Sequence, residues 1–243
     1  MLASQQVETF TTSGGGRIYQ LPLEVFPDFW SYIYMVLVDD LRVLIDTGSG
    51  FGNSNDHLEA GLTVASQLAG QDVRLSDLTH ILITHGHIDH IGGVPEIKRR
   101  FGSKIYIHAL DAPPVEKGDP ILTASAWYGT KFPPTPVDVK FNFPEELLKI
   151  GEEKLVCLHT PGHTPGSICI YLDRNEKRIL FAQDIHGPLL NEFESNLEDW
   201  DRSTQKLLEL DADILCEGHL GIYKTRKDVR DYIHSYRRQY GVE

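Results

Sequence analysis

The sequence predicts an α/β protein, organised as one domain over residues 1–243, and three observations lead to that class. Short apolar, strand-like runs alternate with stretches whose apolar residues recur at helical spacing. Side chains able to bind metal gather where the strand-like runs end, as expected when ligands collect along one edge of a sheet system. With 243 residues, 41% hydrophobic and 24% charged, the chain is long enough to bury a sizeable core and too apolar to remain disordered.

Residues 1–17 are polar and glycine-rich, with no basic segment leading into an apolar one, so they carry no secretion signal. Tyr32 to Val38 and Arg42 to Ile45, divided by Asp39-Asp40, read as a hairpin running into Asp46-Thr-Gly48. Leu58, Leu62, Ala65 and Leu68 then mark a helix between Ser54-Asn55-Asp56 and Gly70. Thr79 to Thr84 is a short buried strand, Val94 to Phe101 a helix stopped by Gly102, and Lys104 to His108 a further strand. From 109 to 142 periodicity fails: six prolines surround Trp127, Tyr128 and Phe132, which fits either a surface excursion or a lid over a substrate. The second half continues with strands at Lys154 to Leu158, Ser167 to Leu172, Arg178 to Ala182 and Asp213 to Cys216. A helix carrying Leu197, Trp200, Leu207, Leu208 and Leu210 precedes the last of these, and Asp228 to Tyr240 forms a final amphipathic helix.

The densest chemistry lies in Thr84-His-Gly-His-Ile-Asp-His-Ile-Gly-Gly93, where His85, His87, Asp89 and His90 fall within six residues. Three imidazoles and a carboxylate buried together without partners would cost several kcal/mol, a cost that a bound metal removes. His163, Asp184 and His219 follow later strand-like runs and bring the set to five imidazoles and two carboxylates, enough for two divalent ions. Alone, a histidine after Pro-Gly can be a turn residue and an aspartate after a strand can cap a helix. Mixed nitrogen and oxygen donors without cysteine suit zinc, iron, manganese or cobalt and exclude a structural Cys-rich site.

Other classes fit less well. A net charge of −12, from 35 acidic and 23 basic residues, disfavours a nucleic-acid partner. No apolar run approaches the ~20 residues of a membrane span, so a cytoplasmic location is the default. Cys157, Cys169 and Cys216 lie singly in apolar runs and read as buried small hydrophobes. Of the remaining histidines, His57 and His234 read as exposed helix residues and His80 and His108 as structural. His159 is a candidate outer partner and His186 a candidate substrate contact.

The order of Asp46, the His85–His90 cluster, His163, Asp184 and His219 resembles the metallo-β-lactamase fold superfamily over nearly the whole chain. The resemblance implies an αββα sandwich of two mixed sheets flanked by helices. His85, His87 and His163 would hold one metal ion, Asp89, His90 and His219 another, and Asp184 would bridge them. Asp46 would act from behind, orienting the loop. Two divalent ions, zinc being the first choice and iron or manganese open, would activate a shared water, with Asp89 and Asp184 as the catalytic carboxylates and Asp89 also moving protons.

The implied reaction is hydrolysis of a lactone, thioester or ester in a small molecule, and homo-oligomerisation stays open. With 24 residues after His219, the chain resembles compact lactonase and esterase members. Lactonases commonly place a tyrosine three residues after the bridging aspartate, where this chain has Gly187; Tyr128, Tyr223 and His186 are the candidates to replace it. Trp127, Tyr128 and Phe132 would line an apolar substrate site. The rival readings are a mononuclear-iron enzyme resembling persulfide dioxygenases, a phosphodiesterase or nuclease member, and a non-catalytic metal-binding module.

Overall fold

A computed structural model describes residues 8–11, 17–26, 29–38, 41–70, 74–78, 80–150, 153–174 and 176–243. Most of the glycine-rich start, the Asp39-Asp40 turn and Thr79 lie outside the described residues. A first sheet holds, in chain order, β1 (Glu8–Thr11), β2 (Arg17–Phe26), β3 (Phe29–Val38), β4 (Leu41–Ile45), β5 (His80–Leu82), β6 (Lys104–His108) and β7 (Val139–Phe141). Its first four strands are antiparallel and β4 to β7 are parallel. The second sheet holds β8 (Glu145–Ile150), β9 (Glu153–His159), β10 (Ile168–Arg174), β11 (Lys177–Phe181), β12 (Ile214–Cys216) and β13 (Ile222–Tyr223), all antiparallel except the β11–β12 pair.

Period-two alternation builds the layers. On β3, Ile33, Met35 and Leu37 face a cluster with Leu58, Leu62 and Ala65 of α1 (Ser54–Ala69) and with Ile97, while Tyr34 and Val36 face the other way onto Leu155, Ile170 and Phe181 of the second sheet. α2 (Ile88–Ile91), α3 (Val94–Phe101) and α4 (Ala112–Lys117) contribute to the same helix-side cluster as α1. α5 (Leu197–Glu209) and α6 (Arg226–Gln239) cover the outer face of the second sheet through Leu207, Val229 and Ile233. Asn196 and Thr225 cap these last two helices by accepting from the backbone N–H groups of Asp199 and Asp228. The result is the expected αββα sandwich of two mixed sheets.

Several elements depart from the sequence reading, β2, α4, β7 and β8 among them. β2 was hidden by Pro22, which pairs with Tyr32 and, among the described residues, has no partner on the β1 side. The 109–142 segment is not without structure: it holds α4 and β7, with Pro113 in the first turn of the helix and left-handed Gly118 ending it. β8 is an edge strand whose residues alternate between exposed and half-buried, a weak signal in so short a run. No helix among the described residues is long and apolar enough to cross a membrane.

Candidate metal centre

The parallel run of β4 and β5, and of β11 and β12, sends successive chain exits to one edge of the sandwich. Asp46 follows β4; His85 and His87 lie between β5 and α2; Asp89 and His90 lie on α2. His163 lies between β9 and β10, Asp184 just beyond β11, and His219 just beyond β12. Asp46 and Asp184 both take left-handed backbone conformations, φ 61° and 54°, which aspartate tolerates better than most residues. The Asp46 loop also crosses close to α2: a Cβ on Gly92 would lie 1.7 Å from the Ser49 carbonyl oxygen, so only glycine fits.

The structure brings all seven sequence-predicted ligands together, with side chains no more than 7% exposed. His163 Nε2 lies 2.9 Å from His87 Nδ1, and the Asp184 Oδ2 atom faces His163 Nε2 at 3.5 Å and His85 Nε2 at 3.7 Å. The other oxygen, Oδ1, faces His90 Nε2 at 3.3 Å and His219 Nε2 at 3.2 Å. Those two nitrogens are 3.2 Å apart, and Asp89 Oδ2 lies 3.6 Å and 3.4 Å from them. Two half-sites therefore share Asp184, one oxygen each.

These residues fit divalent cations. Ligands at ~2.0–2.1 Å in a tetrahedron stand about 3.3 Å from one another, close to the separations within the Asp89, His90 and His219 group. His85 Nε2 and Asp184 Oδ1 are buried and make no hydrogen bond, so their contacts lack the alignment of one, and His87 turns its Nδ1 toward His163. Outer partners fix three of the rings. Asp46 Oδ2 takes the Nδ1 proton of His90 at 2.9 Å, the Pro188 carbonyl that of His163 at 2.9 Å, and the Trp30 carbonyl that of His219 at 2.8 Å. Each Nε2 lone pair is thereby left for a metal.

Electrostatics separate the two half-sites: His85, His87 and His163 are lowered from the usual histidine range, whereas His90 and His219 are raised by the carboxylates around them. Burial and the neighbouring imidazoles push His85 and His87 well below the usual histidine range, keeping them neutral as ligands must be. Burial also acts against protonation of His219, but Asp184 and Asp89 outweigh it and lift the ring to about 9. The same negative field would hold a cation.

Sequence reasoning missed two buried carboxylates. Asp111 accepts from Gly86 N at 2.8 Å, Gly166 N at 2.7 Å and Thr164 Oγ1 at 2.7 Å. Glu217, fully buried, accepts from His219 N at 2.6 Å, Leu220 N at 2.7 Å and His186 Nδ1 at 2.8 Å. A usable signal existed for Glu217, an acid at the end of the apolar run Ile214-Leu-Cys216.

The candidate substrate residues divide. Tyr128 is half-buried, stacked on Phe26 with centroids 5.2 Å apart, and lies within the field of the Asp89 and Asp184 carboxylates. Burial and the Asp89 and Asp184 charges raise its pKa, so it stays a phenol. Trp127 is 59% exposed and meets Phe193, which in turn packs on His87 at 4.4 Å. Phe29, also missed, stacks over His219 at 5.1 Å.

Phe132 requires correction: it is buried in the helix-side core with Val115 and supports the segment from beneath. Tyr223 likewise packs against Tyr232 at 4.5 Å in the α5–α6 cluster. His186 binds Glu217 through Nδ1, and its ring centroid lies 5.5 Å from that of His219. A side chain at Gly187 would have to hold a φ of 95°, which side chains rarely adopt, and to push aside Tyr240 Oη, 2.0 Å from its Cβ. Nor is His57 fully exposed: it stacks on Trp30 and accepts from Glu24 N.

Comparison with known proteins places these features in context. The profile of the family described as "Metallo-beta-lactamase superfamily" matches residues 28–219. A protein of Aquifex aeolicus is 35% identical over 130 residues, 54% of this chain and 56% of that relative. The acyl-coenzyme A thioesterase MBLAC2 of Gallus gallus is 29% identical over 217 residues, covering 80% of this chain and 74% of the relative. The probable metallo-hydrolase YflN of Bacillus subtilis is 30% identical over 220 residues, covering 77% and 78%. In three dimensions the crystal structure of the metallo-beta-lactamase GOB-18 from Elizabethkingia meningoseptica matches with TM-score 0.75 and 21% identity, over 98% of this chain and 92% of that one. At that identity the likeness concerns the fold.

Proposed function

The chain belongs to the metallo-β-lactamase superfamily, and from that premise we propose that it hydrolyses a carbonyl ester, lactone or thioester of a small, partly apolar molecule at a centre of two divalent ions, zinc first among them. The observation that carries this reading is the division of Asp184: one oxygen faces His85 and His163, the other His90 and His219. His85, His87 and His163 would hold one ion, Asp89, His90 and His219 the other, and Asp184 both. When bound, two such ions would acidify a shared water and polarise a carbonyl oxygen.

The chain's own residues supply the rest. Asp89, beside His90 and His219, would receive a proton as the tetrahedral centre forms. Tyr128, kept a phenol by burial and by the Asp89 and Asp184 charges, would donate to a departing oxygen or sulfur, since position 187 is a glycine. Phe29 over His219 on one side and Trp127 with Phe193 beside His87 on the other give the cleft apolar walls suited to an acyl or aryl group. The name of the MBLAC2 relative, an acyl-coenzyme A thioesterase, supports a thioester within this range.

Elemental analysis joined to a panel of lactone, thioester, phosphodiester and β-lactam substrates tests the proposal. Two metals per chain with turnover of a carbonyl ester are expected. One iron per chain with oxygen consumption, or turnover confined to phosphodiesters, would overturn it.

A further inference from the structure

Behind the seven candidate ligands stand three buried carboxylates, and Asp111 and Glu217 grip different loops. Asp46 binds Thr84 and His90. Asp111 spends its three hydrogen bonds on Gly86, between His85 and His87, and on Thr164 and Gly166, just after His163. All three donors belong to loops of the first half-site. Glu217 spends its own on the backbone N–H groups of His219 and Leu220 and on His186. The backbone on either side holds this corner further, since Tyr34 donates its hydroxyl proton to the Glu217 carbonyl and Tyr32 N donates to the Gly218 carbonyl.

We propose that Asp111 and Glu217 are positioning residues that set the occupancy of the two metal positions separately: Asp111 that of His85, His87 and His163, and Glu217 that of Asp89, His90 and His219. The inference rests on the two-metal reading above. In the two-metal reading neither carboxylate is a ligand: each takes three donors, which hold it behind the ligand-bearing loops, although Glu217 also clusters with Asp184 and His186. Each acts by stopping its loop from relaxing away from the cation. Removing Glu217 strands two backbone donors beside His219, and they regain partners only if the loop turns, which carries the His219 ring with it. His85, His87 and His163 receive nothing from Glu217 and keep their geometry. Removing Asp111 frees the loops of the first half-site and leaves His219 in place.

The test measures both zinc dissociation constants by competition with a chelator, using the whole chain. His163→Ala and His219→Ala mark which constant belongs to which half-site. Glu217→Ala should weaken the constant marked by His219→Ala about 10–100-fold and leave the other within about threefold; Asp111→Ala should do the reverse. The cobalt-substituted protein should show the matching loss of one half of its visible absorption. Should either alanine variant fail to fold, Glu217→Gln and Asp111→Asn, which keep one acceptor oxygen, should show smaller shifts in the same separate constants. Both constants weakening together, or neither moving in the variants that fold, overturns the proposal. Wild-type protein that binds fewer than two zinc ions would instead remove the two-metal premise, a failure visible before any variant is compared.

Discussion

Asp46 Oδ2 and His90 Nδ1 lie 2.9 Å apart, with neither side chain more than 1% exposed. The same carboxylate accepts from Thr84 N and Thr84 Oγ1, so it joins the end of β5 to the ring that faces Asp184. Asp46→Asn keeps an oxygen for Thr84 but sets an amide NH₂ against the Nδ1 proton of His90. Relief requires that proton to move to Nε2, the nitrogen meant for a metal. We expect a 10–100-fold weaker metal affinity with little change in unfolding temperature. Zinc titration by calorimetry checks this, and an unchanged affinity would show that His90 is oriented by something other than Asp46.

Asp184 is the one carboxylate common to both half-sites. Asp184→Ala should therefore lower bound metal to less than one ion per chain and abolish nearly all turnover, a greater loss than the roughly 10–100-fold effect of removing an outer partner. His57→Ala serves as contrast. It removes a stacking partner of Trp30 and the acceptor of Glu24 N, costing about 1 kcal/mol in stability while metal content stays at the wild-type level. Elemental analysis and thermal unfolding of both variants decide the pair.

The ligands were legible because metal chemistry concentrates rare side chains at strand ends, and no ordinary core packs His85, His87, Asp89 and His90 together. Their outer partners were not. Asp111 looked like one more acid in a proline-rich excursion, because its partners, Gly86, Thr164 and Gly166, are distant in sequence and two of them offer only backbone N–H groups. Hydrogen bonds to backbone leave no mark on the residue that donates. The same limit hid β2, whose partner strand overrides the local signal of Pro22, and it misplaced Phe132, whose burial is set by α4 folding inside a segment read as irregular.

His108 and His159 stack face to face, centroids 3.9 Å apart and planes at 10°. Burial first, and the His159 ring second, push His108 down to about 4 from an ordinary value near 6.5. Because the folded value is depressed, folding favours the neutral ring. Its contribution is complete above pH ~6.5 and is lost as pH falls from there towards 4. The loss is at most about 3 kcal/mol, and less where solvent screens the pair. His108→Phe keeps a ring against His159 and removes the titration, so its stability should fall less steeply between pH 6.5 and 4 than that of the wild type. Urea unfolding at a series of pH values reads the slope, and parallel curves for the two proteins would rule His108 out as a source of acid sensitivity.

Trp127 is the most accessible of the aromatic residues bordering the centre, and it reaches the metal-facing rings only through Phe193, at 5.0 Å, which packs on His87. Large apolar side chains left open to solvent around a polar cleft are commonly covered when ligand binds. Trp127 makes no contact with a candidate metal ligand, so it should contribute to substrate binding and not to the reacting atoms. Trp127→Ala should raise KM about tenfold for esters or thioesters with a bulky acyl or aryl group, equivalent to about 1.4 kcal/mol, and should leave kcat and zinc content near wild type. For an acetyl ester of the same leaving group the change should be smaller, because less apolar surface is lost to water. An equal rise in KM for small and bulky acyl groups would mean that Trp127 shapes the cleft without touching the acyl chain.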